Sequence, residues 1–371
     1  MTLQNDFDNV FNGKTVFVTG HTGFIGGWLI SWLNSLGAKI IGYSLEPPTN
    51  PSLFETLGLE KKITHITGNV NDFSFLYKCM SEHQPDMVFH LAAQSLVRLS
   101  YNKPIETFQT NIMGTANVLE SVRTIPSAKT CIIMTSDKCY ENRGTSFGYK
   151  ENDPMGGHDP YSASKGAAEL VVSSYKRSFF DKNYGNKSSV GISTIRAGNV
   201  IGGGDWAEDR IVPDCIRSLI NRKSIPIRNP DSVRPWQFVL EPLFGILLLA
   251  SKMSTNPSGY SQAWNFGPLI SNKKTIVREL VSQIISEWGE GEWKNIDDSN
   301  VLHESNLLVL DSTKATDSLG WFPVYSINEA IHETISWYRA YFEGKMDMKE
   351  LTLNQIQDYS KKVSLLKNST K

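Results

Sequence analysis

One stretch near the start of the chain restricts its fold more than any other. A β-branched apolar run, "KTVFVT" (14–19), enters the turn "TGHTGFIGG", and an amphipathic stretch follows from Phe24 to Leu36. Gly20, Gly23 and Gly26 recur at every third place. Such glycines permit a tight turn, close packing of helix on strand, and approach of a diphosphate to the free N–H groups that open the helix. The spacing is GxxGxxG, not GxGxxG. Two readings stand at this point, a dinucleotide cradle or a merely tight strand-to-helix turn. His21 is bulky for such a loop. It is either a harmless exposed side chain or one that crowds the diphosphate and weakens cofactor binding.

The rhythm continues. "AKIIGYS" (38–44), "KITHIT" (62–67), "DMVFHLAA" (86–93), "TCIIMT" (130–135) and "VGISTIRA" (190–197) read as further strands. Helices are expected between them over Asn71–Glu82, from Pro104 to Val122, and from Pro160 to about Phe180, proline being favoured in a first turn. Strands alternating with helices imply right-handed βαβ units, and continuous apolar strands imply a parallel sheet covered on both faces. The fold class is therefore α/β, a Rossmann-type doubly wound sheet with a smaller C-terminal α/β substrate-binding domain. The alternation breaks after residue 198, at Gly202-Gly203-Gly204. We expect a nucleotide-binding domain over 1–197 and about 238–262, with Val239–Met253 packing back as a helix. The second domain would take 198–237 and 263–371.

Composition narrows the function. A chain of 371 residues, 40% hydrophobic and 20% charged, can bury a full core. Its net charge of −1 provides no field for nucleic acid or an anionic membrane. The longest apolar run, Leu243–Ala250, is too short to span a bilayer. "MTLQNDFDNVFNGK" lacks a basic region followed by an apolar core, so no signal peptide is expected. Cys79, Cys131, Cys139 and Cys215 form no CxxC pair, which suits a reduced, cytoplasmic setting. Histidines and cysteines form no ligand-like cluster, so no metal is expected.

The ribose signal is mixed. Ser44 ends the second strand where an acid often binds a ribose hydroxyl, and Glu46 lies two residues on. No arginine pair follows to receive a 2′-phosphate, which favours NAD over NADP. Asn69 and Val70 could line the adenine, or "GNVND" is only a strand-to-helix turn with Asn71 as N-cap. Asn111 reads as a structural polar residue, and His90 as a core histidine with its hydrogen bonds satisfied.

"DPYSASKGAAE" places Tyr161 and Lys165 four apart, on one helix face. An ammonium beside a phenol favours phenolate, and a tyrosine so tuned can take a proton from a substrate hydroxyl. At the end of the fifth strand, Ser136 could hold the same oxygen. Asp137 and Lys138 follow it, as a solvated turn or as a proton-handling pair.

The ordered set TGxxGFIG, "HLAA", strand-end serine and YxxxK resembles the extended short-chain dehydrogenase/reductase family. "RAGNVIGGGDWAEDRIVPD", "RPWQFVLEP" and "WNFGP" look like its sugar-nucleotide-binding segments, so the resemblance covers nearly the whole chain. "YSLEPPTNPSLFE" and "TSDKCYEN" look like its sugar-nucleotide 4,6-dehydratases. The resemblance implies CDP-glucose as substrate in bacterial O-antigen sugar synthesis, and NAD recycled within each turnover. It implies that the cofactor loop uses Gly20, His21, Gly23, Phe24, Ile25 and Gly26, and that Ala92, Ala93 and Gln94 line the cofactor. Tyr161 would deprotonate the sugar 4-hydroxyl, Ser136 would bond that oxygen, and Lys165 would bind the nicotinamide ribose. Asp137 would be the acid for the C6 hydroxyl. Lys138 stands where dTDP-glucose relatives carry a glutamate as C5 base, and would act as base or enolate stabiliser. Asn199, Trp206, Arg210, Arg234 and Arg228 are implied at the sugar nucleotide, with Trp206 equally plausible in the core. A homodimer through a four-helix interface is also implied. The alternatives are another 4,6-dehydratase, a 4-epimerase, which would not need the charged pair, or a dinucleotide-sensing module.

Overall fold

The apolar runs become strands because each can be covered on both sides. In the computed structural model, residues 7–144, 147–180, 190–268, 275–296 and 308–369 are described. β1 (Thr15–Thr19), β2 (Lys39–Ser44), β3 (Thr64–Thr67), β4 (Met87–His90), β5 (Thr130–Met134) and β6 (Gly191–Ala197) lie within one parallel sheet. Its order is β3-β2-β1-β4-β5-β6, and the strand Ala263–Phe266 adds to the β6 edge. This is the doubly wound order, in which ligands collect beyond the carboxyl ends of the strands, where the winding reverses between β1 and β4.

Successive residues of each strand serve opposite layers, as the two-residue period requires. Val16, Val18 and Ile132 pack with Trp28 and Leu29 of α1 (Phe24–Ser35) and with Leu243 and Leu247 of the helix Leu240–Thr255. Phe17, Cys131 and Ile133 face Leu76, Val118 and Val172 on the opposite helical layer. The helix expected over Val239–Met253 thus does pack on the nucleotide-binding sheet.

Three local expectations change. Helix Phe73–His83 is capped by Asp72, whose side chain accepts from the Phe75 N–H, and not by Asn71. The strand Ala263–Phe266 pairs with β6 and buries Trp264 and Phe266, so the sheet runs past the boundary drawn at 262. The last helix, Met348–Ser369, returns to the nucleotide-binding side: Tyr359 packs edge-on against Trp32 of α1 and donates to Glu241 Oε2 at 2.7 Å.

Beyond the sheet, two parallel strand pairs, Val200–Ile201 with Gln237–Phe238 and Ile225–Ile227 with Trp293–Asn295, build the wall opposite the strand ends. Helices Ile211–Ile220, Val277–Trp288 and Ile327–Glu343 accompany them.

Candidate active site

The glycine loop is built by close backbone contact. Gly20 has φ +75°, and a Cβ there would lie 2.6 Å from the Ala92 amide nitrogen. A Cβ on Gly26 would overlap the Gly20 carbonyl. α1 starts at Gly23 with no side-chain cap, leaving its first N–H groups to whatever binds in front of them. These features fit a dinucleotide diphosphate. Thr19 Oγ1 accepts from Ala92 N at 3.2 Å and meets His90 Nδ1 at 2.7 Å; His90 Nε2 meets Thr115 Oγ1 at 3.2 Å. His90 is therefore a core histidine with both nitrogens occupied.

His21 is not exposed. Its ring fills the space that Gly42 leaves open, lies edge-on to Phe54, and bonds His65 across 2.7 Å. Burial, then the charge of His65, lowers its pKa to about 3, so it is neutral and part of the core under the loop. Phe24 likewise turns away from the loop toward Gly202. Ser44 is engaged with Thr22 Oγ1 at 2.8 Å, and Asn69 Oδ1 accepts from Asn71 N at 2.9 Å. Val70 is buried, and its carbonyl accepts from Asn117. Gln94 and Asn111 clamp each other: Gln94 N donates to Asn111 Oδ1 at 2.9 Å, and Asn111 Nδ2 reaches both Gln94 O and Ser164 Oγ. Asn111 is thus a structural polar residue, set in a π-turn (Gln109–Met113) that interrupts the helical stretch from Pro104 to Thr124.

At the end of β5 the chain extends through Ser136 and tightens into a 3-10 turn, Asp137–Cys139. Ser136 Oγ accepts from Lys138 N at 3.2 Å and donates to Asp137 Oδ1 at 3.0 Å. Helix Pro160–Tyr175 is capped by Asp159, with Tyr161 in its first turn and Lys165 one turn on. Lys165 Nζ donates to the Met134 carbonyl at 3.2 Å, which brings this helix face to the β5 end. Ser136, Asp137, Lys138, Tyr161 and Lys165 therefore border one cleft of about 360 Å³. Asn199, Arg210, Arg228 and Arg234 border it from the other wall, while Ile25 and Ala93 reach it from the cofactor side.

The electrostatics revise one expectation. Burial pushes the Tyr161 phenol up to about 12, opposed by its bond to Ser136. Burial also lowers Lys165 to about 8, with Cys139 and Glu169 opposing. The lysine does not hold the tyrosine below its ordinary value here; it spends a proton on Met134. Asp137 is fully buried, and burial raises its carboxyl despite Lys138 beside it. A raised carboxyl holds its proton to higher pH than a solvated one does, which suits an acid.

Trp206 does not border the cleft. It is packed among Trp337, Tyr338, Tyr341 and Phe342, so the core alternative holds. Arg210 spans the cleft mouth, with Nη1 3.0 Å from Asp205 Oδ2 and Nη2 3.0 Å from Ser95 Oγ. Arg228 bonds Asp209 at 3.2 Å, and Arg98 Nε stands 3.9 Å from the same carboxylate. Arg98 and Ser95 carried no signal in the sequence. "SLVRLS" has no motif, and only the fold brings it opposite residues 205–210. Among the described residues no group of three His, Cys, Asp or Glu side chains could hold a metal ion.

Residues 17–334 match the family described as GDP-mannose 4,6 dehydratase. The chain is 47% identical to a CDP-glucose 4,6-dehydratase of Salmonella typhimurium, over 95% of this chain and 97% of that one. It is 26% identical to a dTDP-glucose 4,6-dehydratase of Xanthomonas campestris, over 90% and 96%. Among solved structures, a dTDP-glucose 4,6-dehydratase from Streptomyces venezuelae with NAD and TYD bound superposes with a TM-score of 0.75 at 20% identity, covering 90% and 99%. With the match spanning both the glycine loop and the cleft, the chain belongs to the GDP-mannose 4,6 dehydratase family.

Proposed function

We propose that this protein is a carbon–oxygen lyase, an NAD-dependent CDP-glucose 4,6-dehydratase that forms CDP-4-keto-6-deoxy-D-glucose and water. One observation carries this reading beyond dinucleotide binding. The Asp137–Lys138 pair shares a cleft with Tyr161 and Lys165, so groups suited to oxidation and groups suited to elimination face one substrate. The 47% identity to a CDP-glucose enzyme supports the base and the sugar. The free N-terminus of α1 and its close-packed glycines fit NAD, which a dehydratase of the same fold holds in its crystal structure.

Bound NAD supplies a hydride acceptor for C4 and later a hydride donor for C6. Tyr161 takes the 4-hydroxyl proton while Ser136 bonds that oxygen, and the charge of Arg210 favours the phenolate against burial. The resulting ketone acidifies C5–H. Lys138 takes that proton or stabilises the enolate. Asp137 gives its proton to the C6 hydroxyl, which leaves as water. Asn199, Arg210, Arg228 and Arg234 hold the diphosphate end, since guanidinium matches phosphate oxygens.

We place the enzyme in the cytoplasm, feeding O-antigen deoxysugar synthesis; no helix among the described residues is long and apolar enough to cross a membrane. Helices Gly114–Thr124 and Pro160–Tyr175 lie side by side, and Ile105, Met113 and Leu170 are exposed around them. We assign this face to a four-helix interface with a second copy.

Incubation with CDP-, dTDP-, UDP- and GDP-glucose tests the reading. CDP-glucose alone should yield an alkali-absorbing 4-keto product. An inverted 4-hydroxyl without loss of water would establish the epimerase alternative instead. In deuterated water, Lys138→Ala should lose C5 exchange; normal exchange would remove Lys138 from the base role.

A further inference from the structure

The helix stripe that carries Tyr161 and Lys165 has a third member. Glu169 lies four residues on, on the same face, and is buried. Its carboxylate accepts four bonds. Thr135 Oγ1 donates to Oε1 at 2.5 Å and Thr194 Oγ1 to Oε2 at 2.9 Å. Arg196 of β6 donates from Nε at 3.0 Å and from Nη2 at 2.7 Å. Thr135 is the residue directly before Ser136. Arg196 continues to the Tyr140 hydroxyl at 2.7 Å and stacks over its ring, just past the turn that holds Asp137 and Lys138. Tyr140 in turn donates to Asn265 Oδ1 at 2.8 Å on the edge strand.

We propose that Glu169 is a positioning residue. It locks the Tyr161–Lys165 helix to both ends of the Ser136–Asp137–Lys138 segment, and it supplies the buried negative charge that keeps Lys165 an ammonium. This rests on the reading of Tyr161 and Lys165 as the reacting pair.

The argument is one of geometry and then of charge. A buried carboxylate is costly unless it is paired and fully bonded. Here it is bonded from β5, from β6 and from its own ion pair, so its position is fixed. The groups that face Lys165 are few. Its own helix brings Tyr161 and Glu169, the 3-10 turn brings Cys139, and β4 brings His90. The end of β5 brings the Met134 carbonyl, and on β6 the Arg196 cation is paired with Glu169. Burial drives the Cys139 thiol well above its ordinary value, so it is uncharged at neutral pH, and burial keeps His90 neutral. That leaves Glu169 as the anion facing the lysine. Without it, burial alone would act on Lys165, and the ammonium would give up its proton at lower pH.

The test uses two variants of the full chain. Glu169→Gln removes the charge but leaves Arg196 buried without its carboxylate, which threatens folding. Glu169→Gln combined with Arg196→Met removes both charges at similar volume, so a folded protein is expected. The ionisation of Lys165 is followed by NMR on protein with lysine labelled at Cε, the resonance assigned by its loss in Lys165→Arg. Its midpoint should fall by about one pH unit in the double variant. The alkaline limb of kcat/KM on CDP-glucose should fall with it, while the unfolding temperature stays near that of the parent. A midpoint and limb that do not move in a double variant with native stability would overturn the proposal, because a purely structural carboxylate changes stability alone. If the parent enzyme turns over no CDP-glucose, the resonance still decides the role of Glu169, and only the reading of the function fails.

Discussion

Asp137→Asn separates the two halves of the proposed reaction. The side chain keeps its shape, and its oxygen can still accept the Ser136 hydroxyl that now lies 3.0 Å from Oδ1. What disappears is the transferable proton. General acid catalysis contributes typically ~10²–10⁴ in rate, or about 3–5 kcal/mol in the barrier, and kcat should fall by that factor with KM little changed. Stability should move the other way. Burial raises the Asp137 carboxyl, so the folded state prefers its neutral form. That preference adds stability below the ordinary carboxylate pKa and is lost as pH rises through the raised value. At neutral pH the amide escapes this cost, so the variant should unfold at the same temperature or higher. The assay combines thermal unfolding with a single turnover followed by the near-ultraviolet absorbance of NADH. If Asp137 acts after oxidation, the variant should form bound NADH from CDP-glucose and hold it, since the C6 hydroxyl no longer leaves. An Asp137→Asn enzyme that matches the parent in kcat, or one that forms no NADH while staying folded, would refute the assignment.

Two further outcomes follow from the packing. Gly26→Ala places a methyl against the Gly20 carbonyl and 2.7 Å from His21 Cα, and neither backbone group can swing aside. The loop must shift, costing about 1–3 kcal/mol of stability and weakening NADH binding, as fluorescence titration and thermal unfolding would record. Glu241 sits under the last helix, accepting from the N–H groups of Val324 and Tyr325 and from the Tyr359 hydroxyl. Burial raises its pKa from 4.5 to about 7. The stability it lends is therefore full below 4.5 and lost as pH rises toward 7. Denaturant unfolding of the parent over that window should carry a slope of up to about 1.4 kcal/mol per pH unit that Glu241→Gln lacks.

Much of the site was legible because its signals are local. The glycines of the loop act on their own turn, and the strand, turn and helix around them are contiguous. Tyr161 and Lys165 share a face by helix geometry alone. The Tyr161 phenol, by contrast, is raised where the Tyr–Lys spacing suggested lowering. Its ionisation depends on burial, and burial is not a property of four residues.

The same division runs through the rest of the molecule. The strands and the two-layer winding follow from apolar runs and their spacing, which the chain carries whatever its partners, while the residues alone left Asp137–Lys138 open between a solvated turn and a proton-handling pair. The fold alone decided that His21 turns into the core on His65, that Trp206 sits among aromatics, and that Ala263–Phe266 completes the sheet. It alone set Thr194 and Arg196 of β6 on Glu169 and Arg98 across from Asp209. Each of these joins segments tens of residues or more apart, and no period or spacing along a chain encodes which distant side chain will cover or pair a given one. That choice is made only when the layers pack and each buried polar group must find a partner.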